Sequence, residues 1–390
     1  MCSDFMLGAC QKYAGVVTIS RHFILLNFGT FMQHWSLRKT LSSLGYKTFR
    51  VADVGEMRYT LLEILLRTVK HVLILPYKYF RLNIPICGEL KSIIQTLRQN
   101  LKFFSDYKIL IGRFYDQITY PAKLTLVIGS DQVWTNVTPR EYGVGFKGKC
   151  KRIAYAVSAD WMSVSSQEKW KNRIVDELPL FSGISVRELL GVATIKKNLP
   201  DLEVFHAIDP VFLTMKEEYL KLLPSAKALN KPAMIYYVVN AKSFDHMNYG
   251  AVVEAAKRLQ VQLKTIALQG SEKYLPIYVQ TVASPREILK LYRDAKYIVT
   301  NSFHGTAFAV IFNKQFVCIK QKEQRGCGQN VRCEELLDYL GLSSYMLPNK
   351  MDGNSLLKCL EKPIDYSIVD ATIAKWREES LSWLKSVLPK

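Results

Sequence analysis

The residues best suited to chemistry are the seven from Thr300 to Thr306 (TNSFHGT), which lie between an apolar strand pattern and an apolar helix pattern. At such a junction, the free backbone N–H groups and the helix dipole favour an anion. Gly305 allows a ligand to approach the backbone, and Ser302 and Thr306 carry hydroxyl donors. His304 can transfer a proton near neutral pH. A helix cap that contains a structural histidine is the alternative interpretation.

Two further clusters with weaker signals also lie at junctions between predicted elements. Ser130 and Asp131 follow the strand pattern LTLVI, where they could contact a substrate or simply cap the next helix. Asn27 and Gly29 precede a helix pattern, and by themselves they are a weak signal.

Arg187, in the sequence SVRE, ends another predicted strand at 182–187. A guanidinium group in that position can bind a carboxylate or a phosphate through two parallel hydrogen bonds. The alternative is a surface arginine that pairs with a nearby glutamate.

The elements that must position these residues alternate between strand and helix. A strand at 14–19, a helix at 30–44 and a strand at 46–53 predict a βαβ unit, and therefore a parallel sheet. The second half repeats this alternation after a polar stretch at 215–232. We therefore predict an α/β fold with two Rossmann-like domains, 1–220 and 221–390, that face each other across a cleft. Ligands belong in that cleft, at the carboxyl ends of the strands.

Composition limits the classes of partner and compartment. The 390 residues carry a net charge of +19, which favours an anionic partner. The chain shows neither a signal peptide nor an apolar run of about 20 residues, and its eight cysteines are scattered. These features predict a cytoplasmic protein. Dispersed histidines and the absence of a nucleotide-binding fingerprint give no support for a metal site or a bound nucleotide cofactor.

Residues 61–104 differ from the rest of the first domain. They contain seven Lys or Arg against two Glu, within a background rich in Leu and Ile. We expect one or two basic amphipathic helices here, interrupted near Pro76 and Pro85. Such helices could make peripheral contact with an anionic membrane face. Alternatively, they pack on the first domain and keep their charges in solvent.

Taken in order, several segments resemble the polysaccharide pyruvyl transferase family. The similar segments are NFGTFMQHWSLRKTLSSLGY, GSDQVW (129–134), AYAVS (154–158), SVRELLG (185–191), DPVFLT (209–214), TNSFHGTAFAVIFNKQF (300–316) and QNVRCEELLDYLGL (329–342). The resemblance covers about residues 15 to 390, and GSDQVW together with SFHG makes it specific.

The resemblance implies a bacterial enzyme with a two-domain fold like that of the GT-B glycosyltransferases. It implies phosphoenolpyruvate as the donor substrate and a sugar of a surface polysaccharide, such as a capsule, or of its polyprenyl-linked precursor as the acceptor. It also places Arg187 and His304 near the donor. The C-terminal domain would then bind the donor, the N-terminal domain the acceptor, and the terminal helix at 368–388 could pack back on the N-terminal domain.

These inferences predict a ketal-forming reaction without a metal or other cofactor. His304 would supply the proton, Arg187 would hold the carboxylate or phosphate, and Arg332 would be a second cation. The opposite wall would consist of Asn27, Gly29, Ser130 and Asp131, with Asp131 orienting or deprotonating the acceptor hydroxyl. A nucleotide-sugar glycosyltransferase on the same fold is the alternative enzyme. A nucleic-acid-binding protein fits less well, because the chain lacks a recognition motif for nucleic acid.

Overall fold

The computed structural model describes most of the chain, and every structural statement below concerns those residues. They are 12–18, 27–51, 61–76, 86–111, 114–115, 124–146, 150–224, 229–322 and 328–389. The predicted helix break at Pro85 lies outside them.

Two parallel β-sheets form the framework. The first has the strand order β3-β2-β1-β4-β5-β6-β7 and the second the order β12-β11-β10-β8-β9. The first sheet contains β1 (Lys12–Val17), β2 (Tyr46–Val51), β3 (Phe114–Tyr115), β4 (Leu124–Ile128), β5 (Lys151–Val157), β6 (Gly183–Val186) and β7 (Phe205–His206). The second contains β8 (Ala233–Val239), β9 (Gln262–Leu268), β10 (Tyr297–Thr300), β11 (Gln315–Ile319) and β12 (Met346–Leu347).

Helices cover these sheets and lie in most of the connections between successive strands, as is usual for parallel pairing. In chain order they are α1 (Phe28–Ser43), α2 (Leu61–Leu73), α3 (Ile86–Leu110), α4 (Trp161–Val164), α5 (Glu168–Glu177), α6 (Leu189–Asn198), α7 (Pro210–Leu213), α8 (Lys216–Leu222), α9 (Tyr249–Arg258), α10 (Pro285–Asp294), α11 (Phe303–Ile311), α12 (Val331–Tyr339), α13 (Gly353–Glu361) and α14 (Tyr366–Val387). The central strands β4 and β8 are buried along their whole length, which explains their continuous apolar sequences.

The predicted α/β class with two Rossmann-like domains is confirmed. The first sheet ends at His206 and the second begins at Ala233, with the predicted boundary at residue 220 between them. That exact division of the chain stays a prediction. The sequence pattern at 167–180 also predicts a helix, but α5 ends at Glu177 and residues 178–180 form a 3-10 turn. Pro179 explains this early end, since proline has no N–H to donate and disfavours helical geometry in the residue before it.

The terminal helix α14 packs back on the first sheet, as predicted. The ring of Trp383 stacks on that of Phe205 with centroids 5.3 Å apart, and the backbone N–H of Ile208 donates to the hydroxyl of Ser380 at 3.0 Å. Beyond the helix, the hydroxyl of Tyr46 donates to the carbonyl of Pro389 at 2.8 Å. The C-terminus therefore ties the two domains together.

The basic segment consists of α2 and α3, and α3 contacts both domains. Phe103 packs edge-on against Phe31 of α1 with centroids 5.5 Å apart, while Lys102 forms an ion pair of 2.6 Å with Glu287 of α10. Among the described residues, no helix is both long enough and apolar enough to cross a bilayer.

Replacing the buried Ser380 of α14 tests how that helix is docked. Ser380→Ala leaves the N–H of Ile208 without its acceptor, so we expect a loss of about 1–3 kcal/mol in the free energy of unfolding. The exposed Ser386 of the same helix is the matched control, and Ser386→Ala should change stability by less than about 0.5 kcal/mol. Denaturant unfolding measures both, and equal effects would contradict the docking.

Candidate active site

A cavity of about 350 Å³ lies between the two sheets, at the carboxyl ends of the strands. The second sheet contributes the residues that follow β8, β9, β10 and β11, and the first contributes the residues next to β4 and α1. Its lining consists of Asn27, Asp131, Gln132, Val239, Asn240, Ala241, Lys242, His246, Gln269, Asn301, Ser302, Phe303, His304, Gln321, Lys322, Gln329 and Arg332. This is the position at which parallel α/β sheets bind ligands.

The structure brings half of the predicted residues to the cavity. Those that line it are Asn27, Asp131, Ser302, His304 and Arg332. The other predicted residues lie behind the lining and contact or support it; they are Gly29, Ser130, Arg187, Gly305 and Thr306.

The turn before α11 is both a helix cap and a wall of the cavity. The side chain of Ser302 accepts a hydrogen bond of 3.3 Å from the N–H of Gly305, and Thr306 donates its hydroxyl to the carbonyl of Ser302 at 3.1 Å. A Cβ atom on Gly305 would lie 2.3 Å from the hydroxyl oxygen of Thr300, so a larger residue does not fit here. The hydroxyl of Thr306 is therefore used as a donor within the turn, whereas that of Ser302 serves there as an acceptor.

Asp131 reaches the cavity through an unusual backbone conformation. Its φ is 68°, in the left-handed region, and its carboxylate accepts a hydrogen bond of 2.9 Å from the hydroxyl of Thr30. Neighbouring Ser130 is held by Gln33, whose side-chain oxygen accepts from its N–H at 2.9 Å. The 3-10 turn that follows starts after Gln132 and has no side-chain cap. The alternative interpretation of this cluster as a helix cap is therefore wrong.

Arg187 lies buried beneath the cavity wall. Its Nε donates to Glu188 at 2.7 Å and its Nη1 donates to Asp209 at 2.7 Å. The ring of Phe303 covers the guanidinium, with its centroid 3.9 Å from Cζ, and separates it from the cavity. Arg187 thus pairs with a neighbouring glutamate, as the alternative proposed, but it is not a surface residue.

Asp209 is the residue at which these groups meet, and the sequence analysis did not assign it to the site. Its carboxylate accepts hydrogen bonds from Arg187 and from the hydroxyl of Ser130, and it also caps α7 through the N–H of Val211. The Nε2 atom of His304 lies 3.7 Å away, which is ion-pair range when the imidazole carries a proton. Burial alone would raise the pKa of Asp209, but His304 and Arg187 together hold that pKa below its usual value.

Gly29 supports His304 from the other domain. A Cβ atom at position 29 would lie 2.1 Å from Nδ1 of the imidazole, so α1 contacts the ring without an intervening side chain. Gly29 was predicted to line the substrate-binding wall. In the structure it contacts His304, which lines that wall, and does not line it itself.

Arg332 is the cation that faces both the cavity and the buried cluster. Its Nη2 donates to Gln329 at 2.6 Å, its Nη1 lies 3.8 Å from the carboxylate of Asp131, and its Nε makes no hydrogen bond with a described residue. Burial, followed by the positive charge of Arg187, lowers the pKa of Arg332 from its usual value. An anion in the cavity would stabilise the charged guanidinium of Arg332 and so offset the effects of burial and of Arg187.

The sequence analysis missed several other lining residues, notably Lys242, His246 and Lys322. Lys242 follows β8 and Lys322 follows β11, so the rule that ligands bind at the carboxyl ends of parallel strands could have found both. The described residues contain no group of three or more His, Cys, Asp or Glu side chains placed to hold a metal ion.

The family model for polysaccharide pyruvyl transferases matches residues 27–323, which is most of the chain and includes every wall of the cavity except part of α12 and the residues just before it. The chain belongs to the polysaccharide pyruvyl transferase family. This membership supports a transferase that acts in polysaccharide pyruvylation. No curated protein sequence matches the chain significantly.

Solved structures are similar to this family member only at low identity. The UDP-GlcNAc 2-epimerase of Methanocaldococcus jannaschii has 11% identity and a TM-score of 0.46, over 94% of this chain and 99% of the epimerase. A UDP-glucosyltransferase from Polygonum tinctorium has 9% identity and a TM-score of 0.45, over 97% of this chain and 98% of that chain.

Enlarging Gly29 tests its contact with His304. Gly29→Ala should displace the imidazole and lower the free energy of unfolding by about 1–3 kcal/mol, because the space is already filled. Gly250→Ala is the control, since a Cβ atom there meets nothing within 4 Å and alanine favours the helix. Thermal unfolding and a crystal structure of Gly29→Ala would decide, and an unmoved His304 would contradict the contact.

The lowered pKa of Asp209 predicts a pH dependence of stability. A carboxyl whose folded pKa lies below its unfolded value, about 3.9, stabilises the fold above that pH and loses this effect as the pH falls further. Asp209→Asn should therefore cost about 3 kcal/mol at pH 7, where Arg187 loses a charged partner. The difference from the unsubstituted protein should shrink below about pH 4. Urea unfolding across pH measures it, and a difference independent of pH would refute the assignment.

Proposed function

We propose that this family member transfers the pyruvyl group of phosphoenolpyruvate to two hydroxyls of one sugar, forming a cyclic ketal and releasing phosphate. The observation that carries the proposal is the arrangement of one cavity. It has an imidazole and several cationic groups on the wall from the C-terminal domain and a carboxylate on the wall from the N-terminal domain.

The charges of the cavity fit a small dianionic or trianionic donor. Lys242, Lys322 and Arg332 line it together with the start of α11, whereas Asp131 is the single acidic residue among the described residues of its lining. In phosphoenolpyruvate the carboxylate and the phosphate are both attached to the central carbon. Lysine and arginine side chains and a helix N-terminus are groups that bind such anions. We expect the donor to lie against the C-terminal domain.

His304 is our proposed proton donor to the methylene carbon. Protonation turns the methylene into a methyl group and makes the central carbon electrophilic. One sugar hydroxyl then attacks that carbon, the bond from the carbon to the phosphate oxygen breaks, and a second hydroxyl closes the ring. The two sugar hydroxyls release two protons. One replaces the proton that His304 gives to the methylene carbon, and the other leaves with the phosphate. Cations fixed around the phosphate would stabilise the charge that develops on it.

Asp131 is the group we propose to orient and deprotonate the attacking hydroxyl. Its carboxylate lies on the opposite wall and is fixed by the hydroxyl of Thr30. An acceptor on this side would have its hydroxyls between Asp131 and the donor. Asn27 adds an amide to the same wall, and amides suit sugar hydroxyls as both donors and acceptors.

Arg187 we propose as a positioning residue in this arrangement. Its guanidinium holds Asp209, and Asp209 in turn lies 3.7 Å from His304. Because Phe303 covers the guanidinium, donor contact with Arg187 would require that ring to move.

We further propose that the acceptor belongs to a bacterial surface polysaccharide, such as a capsule, or to its polyprenyl-linked precursor, and that the enzyme works in the cytoplasm. The supporting features are membership of the family and the absence of a spanning helix among the described residues.

The assay combines the protein, phosphoenolpyruvate and a panel of glycan acceptors, and follows phosphate release together with a mass gain on the glycan. His304→Gln should lower kcat by about 10²–10⁴-fold, as expected for a lost general acid. Arg332→Ala should mainly raise KM for phosphoenolpyruvate, because it removes a cation from the binding wall. The exposed His71→Gln and Arg258→Ala are the matched controls and should leave both constants unchanged.

A panel of nucleotide sugars is the second arm of this assay, since the alternative enzyme is a glycosyltransferase. Sugar transfer from a nucleotide donor without phosphate release from phosphoenolpyruvate would overturn the proposal. Full activity of His304→Gln would overturn the role of the imidazole.

A further inference from the structure

Helix α2, none of whose residues lines the cavity, exposes an apolar face that the described residues leave uncovered. On α2, the side chains of Leu66, Val69 and Leu73 are 58%, 52% and 72% exposed. Leu65 and Val72 of the same helix are also exposed. Single exposed apolar residues are common in proteins, but five within nine positions of one helix form a continuous patch.

The spacing of these residues places them on one side of α2. With about 100° of rotation per residue, the five positions fall within an arc of about 120°. The side that faces the protein is marked by Ile64, which is buried. Helix α2 therefore has two apolar sides, one packed on the fold, mainly against α3, and one directed to solvent.

Exposed basic side chains belong to the same pair of helices. Lys70 of α2 and Lys91 and Arg98 of α3 are exposed, and α2 and α3 pack against each other. Helix α3 adds exposed apolar residues of its own, Leu90, Ile94 and Leu101, at positions that repeat along one face.

We propose that the exposed face of α2, together with the basic residues of α3, binds the surface of an anionic lipid bilayer. Helix α2 has 13 residues and is about 20 Å long, which is too short to cross a bilayer but sufficient to lie in its surface. Leucine and valine would enter the boundary between headgroups and acyl chains, and the lysines and arginine would contact anionic headgroups.

Charge decides between a lipid surface and a second copy of this chain. The chain carries +19, and residues 61–104 contain seven Lys or Arg against two Glu. Two such faces would repel each other in a symmetric dimer, in which the same patch meets itself. An anionic bilayer has the complementary charge, and it accommodates an apolar helix face without requiring shape complementarity.

The test is flotation of the full chain with vesicles of phosphatidylcholine alone or mixed with phosphatidylglycerol. We expect binding to the mixed vesicles, weakened by salt, and little binding to phosphatidylcholine alone. The triple variant Leu66→Gln, Val69→Gln, Leu73→Gln should bind at least about tenfold more weakly, because the inserted apolar groups are lost. Glutamine is chosen because it favours helix formation about as well as leucine.

A matched triple variant controls for the loss of exposed apolar residues in general. Val175→Gln, Leu180→Gln and Ile368→Gln alter side chains that are similarly exposed but lie elsewhere, and binding should not change. Charge reversal at Lys70, Lys91 and Arg98 to Glu should weaken binding to anionic vesicles by about fivefold or more for each residue.

Circular dichroism and thermal unfolding of each variant establish that a loss of binding is not a loss of fold. Equal flotation of the unsubstituted protein and the Leu66, Val69, Leu73 variant would overturn the proposal. So would light scattering that shows a dimer converted to a monomer by this variant without any lipid binding. Flotation does not depend on pyruvyl transfer, so a failure here is separable from a failure of the proposed reaction.

Discussion

The buried ion pair between Arg187 and Asp209 is the interaction on which the rest of the site depends. The carboxylate of Asp209 lies at the junction of the two domains, where it contacts Ser130 of the first domain and lies near His304 of the second. A charge in such a place is costly unless every neighbour is in position. Because Glu188 satisfies a second nitrogen of Arg187 and also accepts from Trp161, the guanidinium has little freedom to turn elsewhere. The pair thus restricts how the two sheets can meet.

Helix α1 transmits that constraint to both walls of the cavity. Asn27 lies in the wall itself, Gly29 contacts His304, Thr30 holds Asp131, and Gln33 holds the backbone of Ser130. Helix α1 borders the cavity at its start and packs against the other domain along its side. It therefore cannot show the one-sided apolar pattern of a surface helix. This explains why the first half of α1 is buried almost all round although it contains polar residues.

Sequence reasoning succeeded where the signal is local. Apolar periodicity located strands such as β4 and β8, and polar residues at strand ends located Asp131 and His304. It failed where the decisive partner is distant in the chain. Asp209 follows a strand of only two residues. Its contacts in the site are with Ser130, 79 residues earlier, and with His304 in the other domain. The burial of Arg187 under Phe303 could not be predicted for the same reason, since the aromatic ring belongs to α11.

Helix α13 was not predicted, because nine residues that start with glycine contain too few helical turns for the apolar period to be recognised.

The distribution of charge in the cavity also bears on how an acceptor would reach it. The cations belong to the wall of the C-terminal domain, so the donor proposed above would leave the wall with Asp131 and Asn27 to a neutral sugar. That wall is continuous with α1, and Phe31 of α1 packs on Phe103 of α3 only four residues, or about 6 Å of helix, beyond Asn27. The buried side of α2 packs against the same α3. If α2 lies on a bilayer as proposed, a lipid-linked sugar would be presented from the side of the N-terminal domain, whose wall of the cavity has no lysine or arginine among the described residues.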